Sequence, residues 1–222
     1  TRRSSDLNPQ SIEMLESRNV FIAGKIDESL RGRTVVIRAH GVPPDQKKKL
    51  EDVGARVVDA TCPNVLKSQK IIRTYHAEGY SIVIVGDRGH AEIEALMGYS
   101  EGTGTVIETI DEARALAHMD NVCVVAQTTL NRQSYNEIAE EVCRHADVSY
   151  VARTVCGSTE RRQADIRRLA ETTDATVVVG GANSANTKRL ADISRELGQP
   201  TFLIAHPEEL DLSALSHYGQ IG

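Results

Sequence analysis

Two cysteines at equivalent places in a repeated unit are the residues of this chain best suited to chemistry. Cys62 and Cys156 lie 94 residues apart, and each comes directly before a stretch with the character of a helix. A cysteine at the start of a helix is stabilised as the thiolate, because backbone N–H groups and the helix dipole face it. A thiolate can bind a metal or act as a nucleophile. Both residues are therefore candidates for one of these roles.

The same offset of 94 residues aligns the loops that follow the two helices without a gap. In each copy an apolar run ends at a glycine, and polar residues come next. A repeat of this length is one structural unit that is used more than once, so equivalent positions are expected to serve equivalent purposes. The aligned pairs are Gly86 with Gly180, His90 with Ser184, and Glu92 with Asn186.

The repeat predicts three α/β units along the chain. We expect the first at 1–61, incomplete at its N-terminus, the second at 62–155, and the third at 156–222, incomplete at its C-terminus. Short strands are predicted at 20–22 in the first unit and at 218–222 in the last. The apolar runs consist of Val, Ile, Leu and Ala with few aromatics, which is typical of parallel sheets buried on both faces. The predicted fold class is therefore α/β, with three similar small domains of mostly parallel sheets.

Polar residues follow the predicted strands repeatedly. Ligands of open parallel sheets bind beyond the carboxyl ends of the strands, where loops lead into helices. If the three units pack about a common axis, these ends converge on one central cavity. Hydroxyl groups, amides and helix N-termini there would suit a phosphate. The residues at such ends are His40, Cys62, His90, Glu92, Gln127, Thr128, Cys156, Ser184 and Asn186.

Each polar residue also has a simpler interpretation that the sequence leaves open. His40 and His90 can serve only to hydrogen-bond a strand end, as lone histidines often do. Thr128, Ser184 and Asn186 are residue types that commonly cap helices. The functional interpretation depends on the recurrence of such residues at equivalent places in the repeat.

Composition argues against several classes of protein. The net charge is −5, and no basic cluster is interleaved with aromatics, which disfavours nucleic-acid binding. No apolar run reaches membrane-spanning length and no signal peptide is visible, so we expect a cytoplasmic protein. The four cysteines are then not expected to form disulfides. Cys123, in an apolar run, and Cys143, in a predicted helix, are expected to be inert packing thiols.

Five motifs, taken in order, resemble those of the 4-hydroxy-3-methylbut-2-enyl diphosphate reductases, the IspH/LytB family. The resemblance covers essentially the whole chain from Asn8 onward. It implies an oxidoreductase of the non-mevalonate isoprenoid pathway, which removes the C4 hydroxyl of its allylic diphosphate with two electrons and two protons to give isopentenyl and dimethylallyl diphosphate. The motifs are Asp59-Ala60-Thr61-Cys62-Pro63, Gly89-His90-Ala91-Glu92, Gln127-Thr128-Thr129-Leu130, Cys156-x-x-Thr159-x-x-Arg162-Gln163 and Asn183-Ser184-Ala185-Asn186-x-x-Arg189-Leu190.

The resemblance also implies an architecture and a set of residue roles. Three α/β domains would form a trefoil around a [4Fe–4S] cluster held by one cysteine from each domain, with ferredoxin or flavodoxin as electron donor. Glu92 resembles the acid that delivers a proton, and Thr128 resembles the hydroxyl that positions the hydroxyl of the substrate. Cys62 and Cys156 resemble two of the cluster ligands. The residues that resemble the diphosphate-binding set are His40, His90, Ser184, Ala185 and Asn186.

The chain departs from the family pattern near both ends. The first cluster cysteine and a first-unit histidine have no counterpart before Asn8, and a serine of a C-terminal motif falls beyond Gly222. The family often has serine at the position of Ala185. We therefore expect an incomplete chain. A cluster-free diphosphate-binding homologue without activity stays open, whereas a generic nucleotide-binding module is disfavoured by the missing glycine fingerprint.

Overall fold

Helices and strands alternate along the residues that the computed structural model describes, 9–181 and 184–222. Two short 3-10 helices lie at Glu28–Leu30 and Pro207–Glu209. The strands are β1 (Thr34–Ile37), β2 (Arg56–Asp59), β3 (Ser81–Val85), β4 (Thr105–Ile107), β5 (Met119–Ala126), β6 (Ala146–Val151), β7 (Thr176–Val179) and β8 (Thr201–Ile204). The helices are α1 (Pro9–Glu16), α2 (Pro44–Asp52), α3 (Pro63–Ala77), α4 (Ala91–Gly98), α5 (Ile110–Arg114), α6 (Arg132–Cys143), α7 (Gly157–Thr172), α8 (Ala185–Glu196) and α9 (Leu212–Leu215).

The described residues divide into two compact units. The larger unit is Lys25–Cys156, and the smaller unit comprises residues 9–24 and Gly157–Gly222. Every pairing between strands is parallel in both units. The predicted α/β fold class with parallel sheets is therefore confirmed. The division into three domains and their trefoil arrangement stay predictions.

The main sheet of the larger unit has four parallel strands in the order β4, β3, β5, β6. Both faces of its central strands, β3 and β5, are buried. Successive side chains of a strand point to opposite sides, so each of these strands contributes to the packing on both faces. Val83 and Val124 pack on one face against α6, and Ile84 and Val125 pack on the other face with residues of α3 and α4. Cys123 is fully buried on this second face, as expected of a packing thiol.

A second, two-stranded sheet of the larger unit pairs β1 with β2. The carboxyl end of β1 leads to His40, and that of β2 leads to Cys62. The amide N–H of Cys62 donates to the carbonyl of Ala39 at 3.0 Å, so these two strand ends lie side by side. His40 and Cys62 therefore follow neighbouring strands at the same edge of this sheet.

The smaller unit repeats part of the main sheet. β7 pairs with β8 on one side, and Ala175 bridges in parallel to Ile221 on the other. The amide of Gly222 also donates to the carbonyl of Ala175 at 3.0 Å. The strand predicted at 218–222 is thus present only at its end, as an isolated bridge.

The strand predicted at 20–22 is not formed. These residues have no regular secondary structure, and no described residue pairs with them as a strand. Phe21 is 65% exposed, and its two neighbours are also exposed. An apolar run becomes a strand only where another strand can accept its hydrogen bonds, and none lies beside it in the described part of the chain.

The repeat seen in the sequence is visible in the backbone. The helices α3 and α7 begin at positions 94 residues apart, and so do α4 and α8. The amide of Gly86 donates to the carbonyl of Ile107 at 2.9 Å, and the amide of Gly180 donates to that of Ile204 at 2.8 Å. At both glycines the strand therefore ends with the same backbone hydrogen bond to the neighbouring strand.

Candidate active site

The main sheet has its topological switch point between β3 and β5. The chain passes from β3 to β4 on one side of β3 and then returns to place β5 on the other side. Loops leaving the two strands at such a point diverge and open a crevice, which is where parallel sheets bind ligands. The loop after β3 carries His90 and leads to Glu92 in the first turn of α4, and the loop after β5 carries Thr128.

A buried carboxyl group and a hydroxyl group meet in this crevice. Oε1 of Glu92 accepts a hydrogen bond from the amide of Thr128, and Oε2 of Glu92 accepts one from Oγ1 of the same residue, both at 2.7 Å. The side chain of Glu92 is 1% exposed and that of Thr128 is 8% exposed. The position of this acid relative to the hydroxyl is therefore set by two hydrogen bonds.

The surroundings of Glu92 favour its protonated form. Burial raises the pKa of the Glu92 carboxyl, because desolvation penalises the charged form, and the nearby charge of Asp87 raises it further. The two hydrogen bonds from Thr128 act in the opposite direction but do not cancel the effect of burial. A buried acid with a raised pKa keeps its proton to a higher pH than an exposed one and can release it to a neighbour.

His90 has both a capping contact and a ring contact. The amide of Glu92 donates to Nδ1 of His90 at 3.2 Å, so His90 is the N-cap of α4. In the neutral ring Nε2 then carries the proton. The ring of His90 also packs edge to face on that of His40, with centroids 5.1 Å apart. His90 therefore caps α4, and its ring also lies against that of His40.

Gly41, which follows His40, stands where the structure has no space for a side chain. Gly41 has a φ of +73°, a conformation that glycine adopts at little cost. A Cβ at Gly41 would lie 2.5 Å from Nε2 of Gln69. The turn that carries His40 therefore depends on glycine.

The two predicted ligand cysteines lie near one helix end. Cys62 is the N-cap residue of α3, and its side chain makes no capping hydrogen bond. Nδ2 of Asn64, in the first turn of the same helix, donates to Sγ of Cys156 at 3.2 Å. The amide of Cys156 in turn donates to the carbonyl of Thr128 at 2.9 Å. Cys156 therefore lies beside both α3 and the loop that carries Thr128.

The turn before Cys62 is held by Asp59. Oδ1 of Asp59 accepts from both the amide and the hydroxyl of Thr61, at 3.0 and 2.5 Å. Nζ of Lys47 donates to Oδ2 at 2.8 Å. The bonds from Lys47 and Thr61 lower the pKa of Asp59 to about 2. This carboxylate fixes the chain where it enters the cysteine position.

The other two cysteines lie away from this end of the sheet. None of the four cysteines forms a disulfide. Burial raises the pKa of Cys123 to about 12, so it stays a neutral thiol within the sheet. Cys143 ends α6, a helix that runs from the carboxyl edge of the sheet toward its opposite edge. Cys62 and Cys156 are therefore the thiols of the described chain that stand at the carboxyl edge.

In the smaller unit the predicted binding residues begin α8. Ser184 is its N-cap, and the Oγ atom accepts from the amide of Thr187 at 3.3 Å. The first amides of a helix, here those of Ala185 and Asn186, have no acceptor within the helix. Oδ1 of Asn186 is buried and makes no hydrogen bond to any described residue. Asn183 of the same motif lies outside the described residues.

Two positioning contacts were not predicted from the sequence. Asn64 contacts Cys156 across 92 residues, and Gln127 bonds to Asp87 across 40 residues. The position of Gln127 directly after a predicted strand was the one signal available for it. For Asn64 the signal was its place in the first turn of the helix that Cys62 opens.

A parallel α/β sheet whose switch point carries a buried acid and a hydroxyl has the arrangement of proteins that bind ligands beyond the carboxyl ends of their strands. A family model described as LytB protein matches residues 7–222. The chain belongs to the LytB family.

Named relatives agree with this assignment. The 4-hydroxy-3-methylbut-2-enyl diphosphate reductase of Aquifex aeolicus is 38% identical over 207 residues, which cover 91% of this chain and 71% of that protein. The reductase of the same name from an Anaeromyxobacter species is 42% identical over 207 residues, with the same two coverages. Other matching reductases are longer, and the chain covers 57% of the protein from Treponema pallidum.

Two solved structures are similar to this chain. The structure titled as (E)-4-hydroxy-3-methyl-but-2-enyl diphosphate reductase, the terminal enzyme of the non-mevalonate pathway, is 34% identical, covers 98% of this chain and 79% of its own, and has a TM-score of 0.68. The reductase structure from Plasmodium falciparum has a TM-score of 0.91 at 22% identity, with 99% and 70% coverage, and supports the fold. No helix among the described residues is long and apolar enough to cross a membrane.

Proposed function

We propose that this chain carries the catalytic site of an iron–sulfur oxidoreductase that reductively removes the C4 hydroxyl of 4-hydroxy-3-methylbut-2-enyl diphosphate. The products are isopentenyl and dimethylallyl diphosphate. The observation that carries the proposal is the contact of buried Glu92 with the hydroxyl of Thr128, beside the loop that leads to Cys156. The relatives named above are reductases, which gives the cluster-free alternative no support.

Glu92 and Thr128 are suited to protonating a leaving hydroxyl group. Hydroxide is a poor leaving group, so the C4 oxygen has to depart as water, which requires a proton at the moment of C–O cleavage. Protonated Glu92 can donate to Oγ1 of Thr128, which can donate its own proton onward. Burial raises the pKa of Glu92, which favours the protonated form that this step requires. Two electrons and a second proton, delivered to the allylic carbon skeleton, complete the balance.

The diphosphate would be held by hydrogen-bond donors of side chains and backbone. Nδ1 of His90 accepts from the backbone, so Nε2 is the donor nitrogen of that ring, and His40 lies against it. In the smaller unit, Ser184, Ala185 and Asn186 form the start of α8, where backbone amides and the helix dipole favour an anion. Each of these five residues is proposed to bind the diphosphate.

The thiols of Cys62 and Cys156 are suited to two of the three ligand positions of a [4Fe–4S] cluster. Neither residue is in a disulfide, both lie near the N-terminus of α3, and Asn64 donates to the sulfur of Cys156. When bound, a cluster would supply the electrons of the reduction. The third thiol has no candidate among the described residues, because Cys123 is buried in the sheet and Cys143 ends α6. A ferredoxin or flavodoxin as electron donor and a cytoplasmic location remain part of the proposal.

The role of Glu92 is tested by Glu92→Gln in the holoenzyme. The amide keeps the size of the carboxyl but has no proton to deliver, so we expect kcat to fall by about a hundredfold or more with little change in substrate affinity. Steady-state kinetics with a chemical reductant measure kcat, and iron and acid-labile sulfide are determined for each variant. Glu78→Gln, the same change at an exposed position after α3, is the matched control. Near-normal turnover of Glu92→Gln with full iron content would refute the role.

The cluster assignment is tested by iron content, independently of activity. Cys62→Ser and Cys156→Ser should each lose most of the bound iron and sulfide after anaerobic reconstitution. Cys143→Ser removes a thiol that stands at the wrong edge of the sheet, and it should retain them. Equal iron content in all three variants would exclude these two cysteines as ligands.

A further inference from the structure

Gln127 is a fully buried amide that joins the two loops of the switch point. The residue is the first after β5, and its side chain is 0% exposed. Oε1 accepts from the amide of Asp87 at 2.8 Å. Nε2 donates to Oδ2 of Asp87 at 3.2 Å and to Oγ1 of Thr129 at 2.9 Å. Both donor hydrogens and the carbonyl oxygen of the side chain are therefore used.

These bonds set the loop after β3 against the loop after β5. Asp87 lies in the first loop, and its carbonyl accepts from the amide of His90 at 3.1 Å, just before Glu92. Gln127 itself immediately precedes Thr128. Besides the direct bonds between Glu92 and Thr128, a second bonded path between the two loops therefore runs through the side chain of Gln127.

Only an amide satisfies this arrangement. A carboxylate at position 127 would accept from Asp87 N–H but would face the carboxylate of Asp87 without a proton to donate. A methionine would fill the volume and leave the amide of Asp87 and the oxygen atoms around it without their partner, which is costly in a buried site. Space is also restricted, because a Cβ at Gly86 would lie 2.8 Å from Cβ of Gln127.

The loop after β3 is also held on its exposed side, by ion pairs of Arg88. Arg88 pairs with Glu108 at 3.0 Å and with Glu112 at 2.7 Å, and all three side chains are more than a third exposed. The guanidinium donates to both oxygens of Glu112, a two-point geometry in which even an exposed pair contributes. The loop after β3 is therefore held on its exposed side by these ion pairs and on its buried side by the amide of Gln127.

We propose that Gln127 is the positioning residue for the acid and hydroxyl pair, holding Glu92 in register with Thr128 through Asp87. The expected fall in kcat rests on the proposed function, whereas the expected change in the position of Glu92 relative to Thr128 does not. Displacement of a catalytic group by about 1 Å can lower a rate by about a hundredfold. Loss of the Gln127 amide should therefore act on kcat rather than on substrate binding.

The test compares Gln127→Met with Gln199→Met. Gln199 is a partly buried amide in the smaller unit, where Nε2 donates to the carbonyls of Ala170 and Thr173, so its replacement removes a similar set of hydrogen bonds elsewhere. In the holoenzyme we expect Gln127→Met to lower kcat by about 10- to 100-fold with KM changed less than about threefold. Gln199→Met should lower thermal stability and leave kcat unchanged.

A second readout does not need activity. The amide of Thr128 is bonded to Oε1 of Glu92, so its hydrogen exchange reports the register of the pair directly. We expect faster exchange of the amides of Thr128 and Asp87 in Gln127→Met and wild-type rates in Gln199→Met. If Gln127→Met does not accumulate as folded protein, Gln127→Glu, which keeps the shape and loses both donated bonds, replaces it in both measurements.

The outcomes separate the two proposals. Faster exchange at Thr128 supports the positioning role even where Glu92→Gln shows that Glu92 is not the proton donor. Wild-type exchange at Thr128 together with wild-type kcat in the Gln127 variants would overturn the positioning role, whatever Glu92→Gln shows. A fall in stability alone, equal to that of Gln199→Met, would also overturn it.

Discussion

Gly86 ends β3 at a point where the structure leaves no space for a side chain. A Cβ built there lies 2.5 Å from Cδ1 of Ile93, 2.7 Å from Oε1 of Gln127 and 2.8 Å from Cβ of Gln127. Carbon and oxygen atoms that are not bonded to each other do not approach so closely. Gly86→Ala therefore forces a movement of one or both neighbours.

Neither neighbour can move cheaply. Ile93 is 2% exposed in the core, and Gln127 is 0% exposed and held by its bonds to Asp87 and Thr129. Overpacking of a buried site costs about 1–3 kcal/mol, and each hydrogen bond that Gln127 loses adds about 0.5–1.5 kcal/mol. We expect Gly86→Ala to lower the free energy of unfolding by about 2–4 kcal/mol. In a chain of this size the melting temperature should fall by roughly 5–15 °C.

Urea denaturation followed by circular dichroism measures this loss, and thermal unfolding checks it. Gly157→Ala is the matched control, because the nearest atom to a Cβ there is Nη1 of Arg161 at 3.9 Å and the residue begins α7. The control should match the wild type or be slightly more stable, since alanine restricts the unfolded chain. A Gly86→Ala variant as stable as Gly157→Ala would refute the steric argument and, with it, the tight packing of Gln127.

Two further predictions concern the repeat and the acid response. Gly180→Ala should lower the free energy of unfolding by about 1–3 kcal/mol, because the new Cβ would lie 2.5 Å from Oγ1 of Thr187. Urea denaturation measures this loss, and an unchanged midpoint would contradict the equivalence of Gly180 with Gly86. The hydrogen bond from Lys47 lowers the pKa of Asp59 in the folded protein to about 2, against about 4 in the unfolded chain. The carboxylate therefore stabilises the fold above about pH 4, and this stabilisation is lost as the pH falls through about 2. Asp59→Asn should therefore be less stable than wild type at pH 6 and approach it at pH 2; a difference independent of pH would exclude this linkage.

Local pattern was enough to predict much of the framework. The ungapped offset between Cys62 and Cys156 predicted where α3 and α7 begin, and the pairing of His90 with Ser184 predicted two helix starts at which both residues prove to be N-caps. Such features are predictable because a helix start depends on a few consecutive residues. The alternation of apolar runs and loops likewise predicted the parallel sheets.

Failures of prediction occurred where a residue depends on a distant neighbour. The apolar run at 20–22 has the composition of a strand, but strand formation requires a partner, and no described strand lies beside it. Gln127 was noticed only as a polar residue after a strand. Its role arises from a bond to Asp87, 40 residues earlier in the chain.

The sequence by itself determined the family, the repeat and the residue types available for chemistry, because these are carried by the order and spacing of motifs. The tertiary structure decided which of those residues touch. Because the strands are parallel, the segments that follow β3, β5 and β6 lie at the same edge of the sheet. At this edge Glu92 is buried and bonded to Thr128, and Cys156 contacts Asn64. The raised pKa of Glu92 is likewise a property of its burial, which only the packing of the whole unit produces.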